Sequence, residues 1–157
     1  MNIRKFSEND QHTLQEIYIE SRRHAFYWMD SSLFALADFD RDTEGELVWV
    51  ATYTNGPVGF ISIWEPNNFI HNLFVRPEVF GQGVGTKLLN VCLKKIGRPA
   101  TLKCAKPNTK AREFYISRGW RVVSEGEGPD GKYELMCFDD KIQQVNEVRP
   151  QKSGRTC

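Results

Sequence analysis

Apolar positions recur along the chain with two different periods, and the change of period marks out the elements. Residues 1–6 predict a short first strand, and Leu14, Ile17 and Tyr18 then fall at helical spacing. Phe26, Tyr27 and Trp28 cluster between polar residues. Leu33, Phe34, Leu36 and Ala37 predict a second short helix, capped by Ser31 or Ser32. The acidic run 38–46 reads as a turn. From Leu47 the period drops to that of strands: residues 47–53 and 58–64 flank an Asn55-Gly56 turn, and a third strand follows over 69–75. These make an antiparallel meander. Residues 83–96 read as a helix, with Val84, Leu88, Cys92 and Ile96 in one stripe widened by Leu89 and Leu93. A strand over 99–105 leads to a helix opened by Asn108 as N-cap, with Ala111, Phe114 and Tyr115 inward and Gly119 as its stop. Two last strands lie around 120–124 and 133–138, and residues 141–157 read as a flexible polar tail after a single domain over 1–140.

The segment most suited to chemistry joins the third strand to the amphipathic helix: Phe80-Gly81-Gln82-Gly83-Val84-Gly85-Thr86. Glycines at such a turn leave backbone amides unobstructed, and the helix N-terminus adds unpaired N–H groups and the positive end of a dipole. Together they form a phosphate cradle. The order Gly85-Thr86-Lys87 is wrong for a P-loop, which needs lysine before the hydroxyl. A dinucleotide-binding turn needs a carboxylate after the next strand, where this chain has Lys103-Cys104-Ala105-Lys106. A tight turn with no ligand is the plain alternative.

Composition narrows the class. The 157 residues fit one domain, and 40% hydrophobic with 26% charged residues suits a packed core. A net charge of +1 argues against a nucleic-acid partner. No apolar segment has the length of a bilayer span, so no membrane partner is expected. The cysteines Cys92, Cys104, Cys137 and Cys157 lack metal or disulfide spacing. The first three read as buried thiols, which suits a reducing, cytoplasmic setting, and no metal is expected.

Leu73-x-Val75-x-Pro77 running into Gly81-Gln82-Gly83-Val84-Gly85-x-x-Leu88-Leu89 resembles the central motif of the GCN5-related N-acetyltransferase (GNAT) superfamily. Asn108-x-x-Ala111-x-x-Phe114-Tyr115-x-x-x-Gly119-Trp120 resembles its second motif, and the likeness spans about residues 59–138. It implies an α/β (α+β) fold: a mixed, mostly antiparallel sheet of six to seven strands flanked by about four helices. It further implies acetyl transfer from acetyl-CoA to a primary amine, on a small molecule, a lysine or an N-terminus, by direct attack in a ternary complex. Members often pair as dimers, so a homodimer is the oligomer the resemblance allows. Phe80 departs from the pattern, which has Gln or Arg there. That departure keeps open a non-catalytic acyl-CoA sensor, and the polar tail keeps open recruitment to a protein substrate.

The resemblance also implies roles. Amides of Gly81, Gln82, Gly83, Val84, Gly85 and Thr86 would hold the pyrophosphate, and Leu73, Phe74 and Val75 would run beside the pantetheine arm. Asn108 would touch that arm, and Tyr115 would protonate the departing thiolate. Lys87, Lys106, Lys110 and Arg112 would add attraction, unless they only solvate a helix face. His71, two residues before Leu73 and so on its face of the strand, is the candidate base. Glu65 is the second candidate. Phe26, Tyr27, Trp28, Phe34, Trp49 and Trp64 could wall an acceptor pocket, and Asp38, Asp40, Asp42, Glu44 and Glu46 could draw a basic acceptor.

Overall fold

The computed structural model describes residues 1–140, so the expected tail lies outside the described residues. Strands β1 (Asn2–Lys5), β2 (Leu47–Tyr53), β3 (Gly56–Trp64), β4 (Phe69–Val75), β5 (Ala100–Ala105), β6 (Arg121–Gly128) and β7 (Gly131–Phe138) form one sheet in the order β1-β2-β3-β4-β5-β7-β6. Every pairing is antiparallel except β4 with β5. Helices α1 (Gln11–Ala25), α2 (Asp38–Asp42), α3 (Val84–Lys95) and α4 (Thr109–Ser117) cover it. The mixed, mostly antiparallel sheet with four helices is the expected fold.

The core divides at the sheet. On one face Leu14, Ile17 and Tyr18 of α1 pack with Phe39 of α2 against Val48, Val50 and Phe60. On the other, Val84, Leu88, Leu89 and Cys92 of α3 join Ile61, Ile63, Leu102, Tyr115 and Trp120. Leu88 and Leu89 are essentially fully buried, each contributing about 1.5–3 kcal/mol of transfer free energy.

The early helices differ from the sequence expectation. Residues 33–37 are not a helix: a 3₁₀ turn spans Ser31–Leu33, capped by Asp30, whose carboxylate accepts from the Ser32 amide at 3.0 Å. The acidic run supplies α2 instead. Asp38 ties the segment down, accepting from the Ala35 amide at 2.8 Å and from buried Arg22 at 3.1 Å. Phe39 then enters the core, so the helix rests on tertiary contacts that polar composition hides.

Candidate active site

Strands β4 and β5 pair only at Phe69↔Thr101 and Ile70↔Leu102. Beyond that point β4 stays paired with β3 as far as Val75↔Gly59, and β5 with β7 as far as Ala105↔Tyr133. The two strands diverge because each keeps its outer partner, leaving a wedge between them. The Arg76 amide donates to Val58 O at 2.8 Å, toward β3. Strand alternation therefore turns Val75 the other way, where its carbonyl accepts from Ser21 Oγ at 3.2 Å. Leu73, two residues earlier, presents its backbone groups on the same open side. The wedge widens into a cleft of about 660 Å³ whose walls include His71, Leu73, Phe74, Asn108 and Tyr115.

The glycine turn follows β4 directly. Gly81 and Gly83 have φ of 81° and 82°, and a Cβ at either would meet nothing within 4 Å, so open space lies before both. The first helical bond of α3 runs from the Lys87 amide to Gly83 O at 3.0 Å, so the amides of Val84, Gly85 and Thr86 have no acceptor within the helix. Gln82 is more committed: its amide donates to Val79 O at 3.3 Å, and its side-chain oxygen accepts from the Tyr53 hydroxyl at 2.7 Å. Phe80 stands half exposed, its ring edge-on to His24 at 5.3 Å.

A guanidinium also reaches this turn. Arg118, just beyond α4, lies 3.8 Å over the Phe114 ring and donates through Nη2 to Thr86 Oγ1 at 2.6 Å. A cation beside the positive end of a helix is electrostatically unfavourable on its own, and an anion there would relieve it. Two of the basic residues singled out in the sequence are occupied elsewhere, Lys106 with Glu125 and Arg112 with Glu134, both at 2.7 Å.

Acid–base groups gather in the cleft. Tyr115 is buried, and burial, with Cys104 and Cys92 nearby, pushes its phenol well above the usual range. Asn108 caps α4, accepting from the Ala111 amide at 3.2 Å. His71 is the extra residue where the β3–β4 register shifts, between Ser62↔Asn72 and Ile63↔Ile70. That bulge breaks the alternation expected to put His71 on the face of Leu73. Its Nδ1 meets Glu46 Oε2 at 2.8 Å, while the neighbouring Asn72 donates to Asp42 O at 3.3 Å. The Glu46 hydrogen bond raises the His71 pKa; burial opposes it, and the charges of Glu46 and Asp42 add to the rise. Tyr18 donates to Asp42 Oδ2 at 2.6 Å. Burial works to raise the Asp42 pKa, but hydrogen bonds from Arg41 and Tyr18 and the charges of Arg41 and His71 outweigh it and hold the group low.

The family model described as the acetyltransferase (GNAT) family matches residues 12–120, which takes in the wedge, the glycine turn and the helix bearing Tyr115. The chain belongs to the GNAT family. An uncharacterized N-acetyltransferase of Archaeoglobus fulgidus is 31% identical, the match covering 80% of this acetyltransferase and 97% of that protein. A peptidyl-lysine N-acetyltransferase, YjaB of Salmonella typhimurium, is 33% identical over 53% of this chain and 56% of its own length. Among solved structures, apo YjaB of Escherichia coli superposes with a TM-score of 0.74 at 24% identity, covering 87% of this chain and 96% of that one. The PaiA N-acetyltransferase of Thermoplasma acidophilum, solved with coenzyme A, gives 0.67 at 20% identity, covering 86% and 96%. The protein is thus an acyltransferase of the GNAT type, and acetyl-CoA is the donor its family uses.

Within the acetyltransferase, the expected aromatic wall is only partly assembled. Phe26 and Phe34 line the cleft. Trp49 is buried in the opposite core, and Tyr27 and Trp64 are exposed at 74% and 40%. Glu65 is exposed and away from the cleft walls. Much of the acidic run is engaged within the fold: Asp38 holds Arg22, Asp42 holds Tyr18 and Glu46 holds His71, while Asp40, which accepts from Gln11 and Gln15, and Glu44 are exposed. Sequence reasoning missed Ser21, Arg118 and Tyr18 as neighbours of the site, and Glu46 as the partner of His71, because each reaches it from a distant element. Cys92 and Cys104 are buried free thiols, and Cys104 lines the cleft. Among the described residues no helix is long and apolar enough to cross a membrane, and no group of three His, Cys, Asp or Glu side chains is arranged to hold a metal ion.

Proposed function

We propose that this chain transfers the acetyl group of acetyl-CoA to a primary amine, on a small molecule, a lysine side chain or an N-terminus, by direct attack with both substrates bound. The observation that carries the reading is the wedge between β4 and β5, which opens beside the glycine turn and brings Tyr115, Asn108 and His71 to one cleft. The open space before Gly81 and Gly83 and the acceptor-free amides at the start of α3 suit a pyrophosphate. When bound, the donor supplies a thioester whose carbonyl carbon takes the amine.

The remaining work belongs to the chain. Gly81, Gly83, Val84, Gly85 and Thr86 hold phosphate through their amides, with Gln82 bracing the turn through Tyr53. The exposed edge at Leu73, Phe74 and Val75 aligns the donor arm, and an amide there donates to the developing oxyanion. Asn108 contacts the arm while capping α4. Tyr115, kept neutral by burial, holds a proton for the leaving thiolate. His71 takes the proton of the attacking ammonium. Residues 1–140 act as the single catalytic domain, with 141–157 appended. The likeness to a peptidyl-lysine N-acetyltransferase supports lysine as an acceptor.

Release of free thiol from acetyl-CoA, measured against small amines, spermidine and lysine peptides, tests the proposal. Turnover with at least one amine, reduced at least tenfold by Tyr115→Phe or His71→Gln, is expected. Tight coenzyme A binding with no release toward any acceptor would instead favour a sensor.

A further inference from the structure

We propose that Glu46 is the positioning residue for His71, holding the imidazole Nδ1–H and fixing the tautomer in which Nε2 accepts a proton. The inference rests on the assignment of His71 as the base. Its ground is geometric. The bulge in β4 frees the ring from strand alternation, and Glu46, immediately before β2, meets Nδ1 at 2.8 Å. The Glu46 side chain is only 7% exposed, whereas that of His71 is 42% exposed. Its second oxygen, Oε1, is buried without a hydrogen-bond partner. A buried carboxylate with one oxygen bare is costly, and the imidazole is its one ion-pair partner among the described residues. A neutral ring bonded through Nδ1–H leaves the lone pair on Nε2, and the imidazolium formed by taking a proton there is stabilised by the same carboxylate.

Other charges face the ring. Asp42 of α2 presents its carboxylate and its carbonyl to the imidazole, and both favour the protonated form, as Glu46 does. Arg41 is tied to Asp42 at 2.8 Å, and Tyr18 of α1 to the same carboxylate. On β4 itself the neighbour is the Phe69 ring, centred 6.0 Å away, and Lys103, Asp130 and Lys132 lie elsewhere along the cleft wall. Glu46 is the group whose side chain hydrogen-bonds the ring.

The experiment follows the imidazole nitrogens and carbon-bound protons of the full chain by ¹H–¹⁵N correlation NMR across pH, with His71→Gln identifying the signal among the three histidines. The wild-type ring should titrate above the ordinary value near 6.5, with the proton of its neutral form on Nδ1. Glu46→Gln should lower the midpoint, and Glu46→Asp should restore part of it. Coincident midpoints and tautomers in wild type, Glu46→Gln and Glu46→Asp would overturn the proposal. Because this readout needs no substrate, it is separate from the catalytic assignment. Thiol release toward a blocked lysine peptide supplies the second arm, where the rising limb of kcat/KM should shift with the NMR midpoint. A shifted midpoint beside an unmoved rate profile would keep the Glu46–His71 pairing and remove His71 as the base.

Discussion

Gly59→Ala should displace the end of β4, the segment proposed to align the donor arm. Gly59 sits on β3 opposite Val75, and a Cβ there would lie 2.9 Å from Phe74 O, 3.2 Å from Val75 Cγ2 and 3.3 Å from Val75 Cα. Two of those three atoms are backbone, held in register by the pairings Phe60↔Phe74 and Gly59↔Val75, so no rotamer change relieves the contact. The methyl must push β4 away by a few tenths of an ångström, the scale of overpacking that costs about 1–3 kcal/mol. For a chain of this size that lowers Tm by roughly 2–12 °C. Coenzyme A affinity should fall as well, because the displaced segment includes Phe74 and Val75. Gly83→Ala is the contrast: its Cβ meets nothing within 4 Å, but φ is 82°, so the cost of about 1–2 kcal/mol is purely conformational. Calorimetric melting with and without coenzyme A measures both. A Gly59→Ala protein that melts with the wild type and binds coenzyme A equally well would refute the argument that this contact sets the β3–β4 spacing.

Three further outcomes are expected. Tyr115→Phe should lower kcat by about 10²-fold on the general-acid assignment, with Tm and the acetyl-CoA KM little changed, as steady-state thiol release would show. Arg118→Ala should weaken coenzyme A binding measured by titration calorimetry, and the loss should shrink as salt is raised, because the side chain acts as a charge beside Thr86. Acid should destabilise the first strand. Asp10 accepts from Arg4 at 2.7 and 2.8 Å and from the Ser7 amide at 2.9 Å, and the Arg4 hydrogen bond, against burial, holds its carboxyl below the ordinary range. Its stabilisation is present above the unfolded pKa near 3.9 and lost as pH falls through the lower folded value. Arg4→Met should flatten that part of the stability–pH curve.

The strands, α3 and α4 were legible because each carries its own local signal. Asn55-Gly56 marks a hairpin, Gly83 starts a helix with an unbroken apolar stripe, and Asn108 caps the next one as its sequence position implies. What stayed hidden depends on partners far away in the chain. Phe39 is the one large apolar residue in the acidic run, so α2 has no visible stripe, and its anchor is Arg22 from another helix. The bulge at His71 is a property of two strands in register, invisible in either alone, and it moved the ring off the face that simple alternation assigns. Arg118 stands at an unspecified position of the second motif, just before Gly119, and only the approach of α4 to α3 gives it Thr86.

The short β4–β5 pairing has a mechanical consequence. With residue partners at only two positions, the sheet is nearly two sheets, β1 to β4 and β5 to β7, hinged near Phe69 and Ile70. A donor arm lying along Leu73, Phe74 and Val75 would act as a removable eighth strand, bracing the hinge while it is present. Amide exchange at the inner edges of both halves should then slow when coenzyme A is added, and the enzyme's rigidity would track the supply of its own donor.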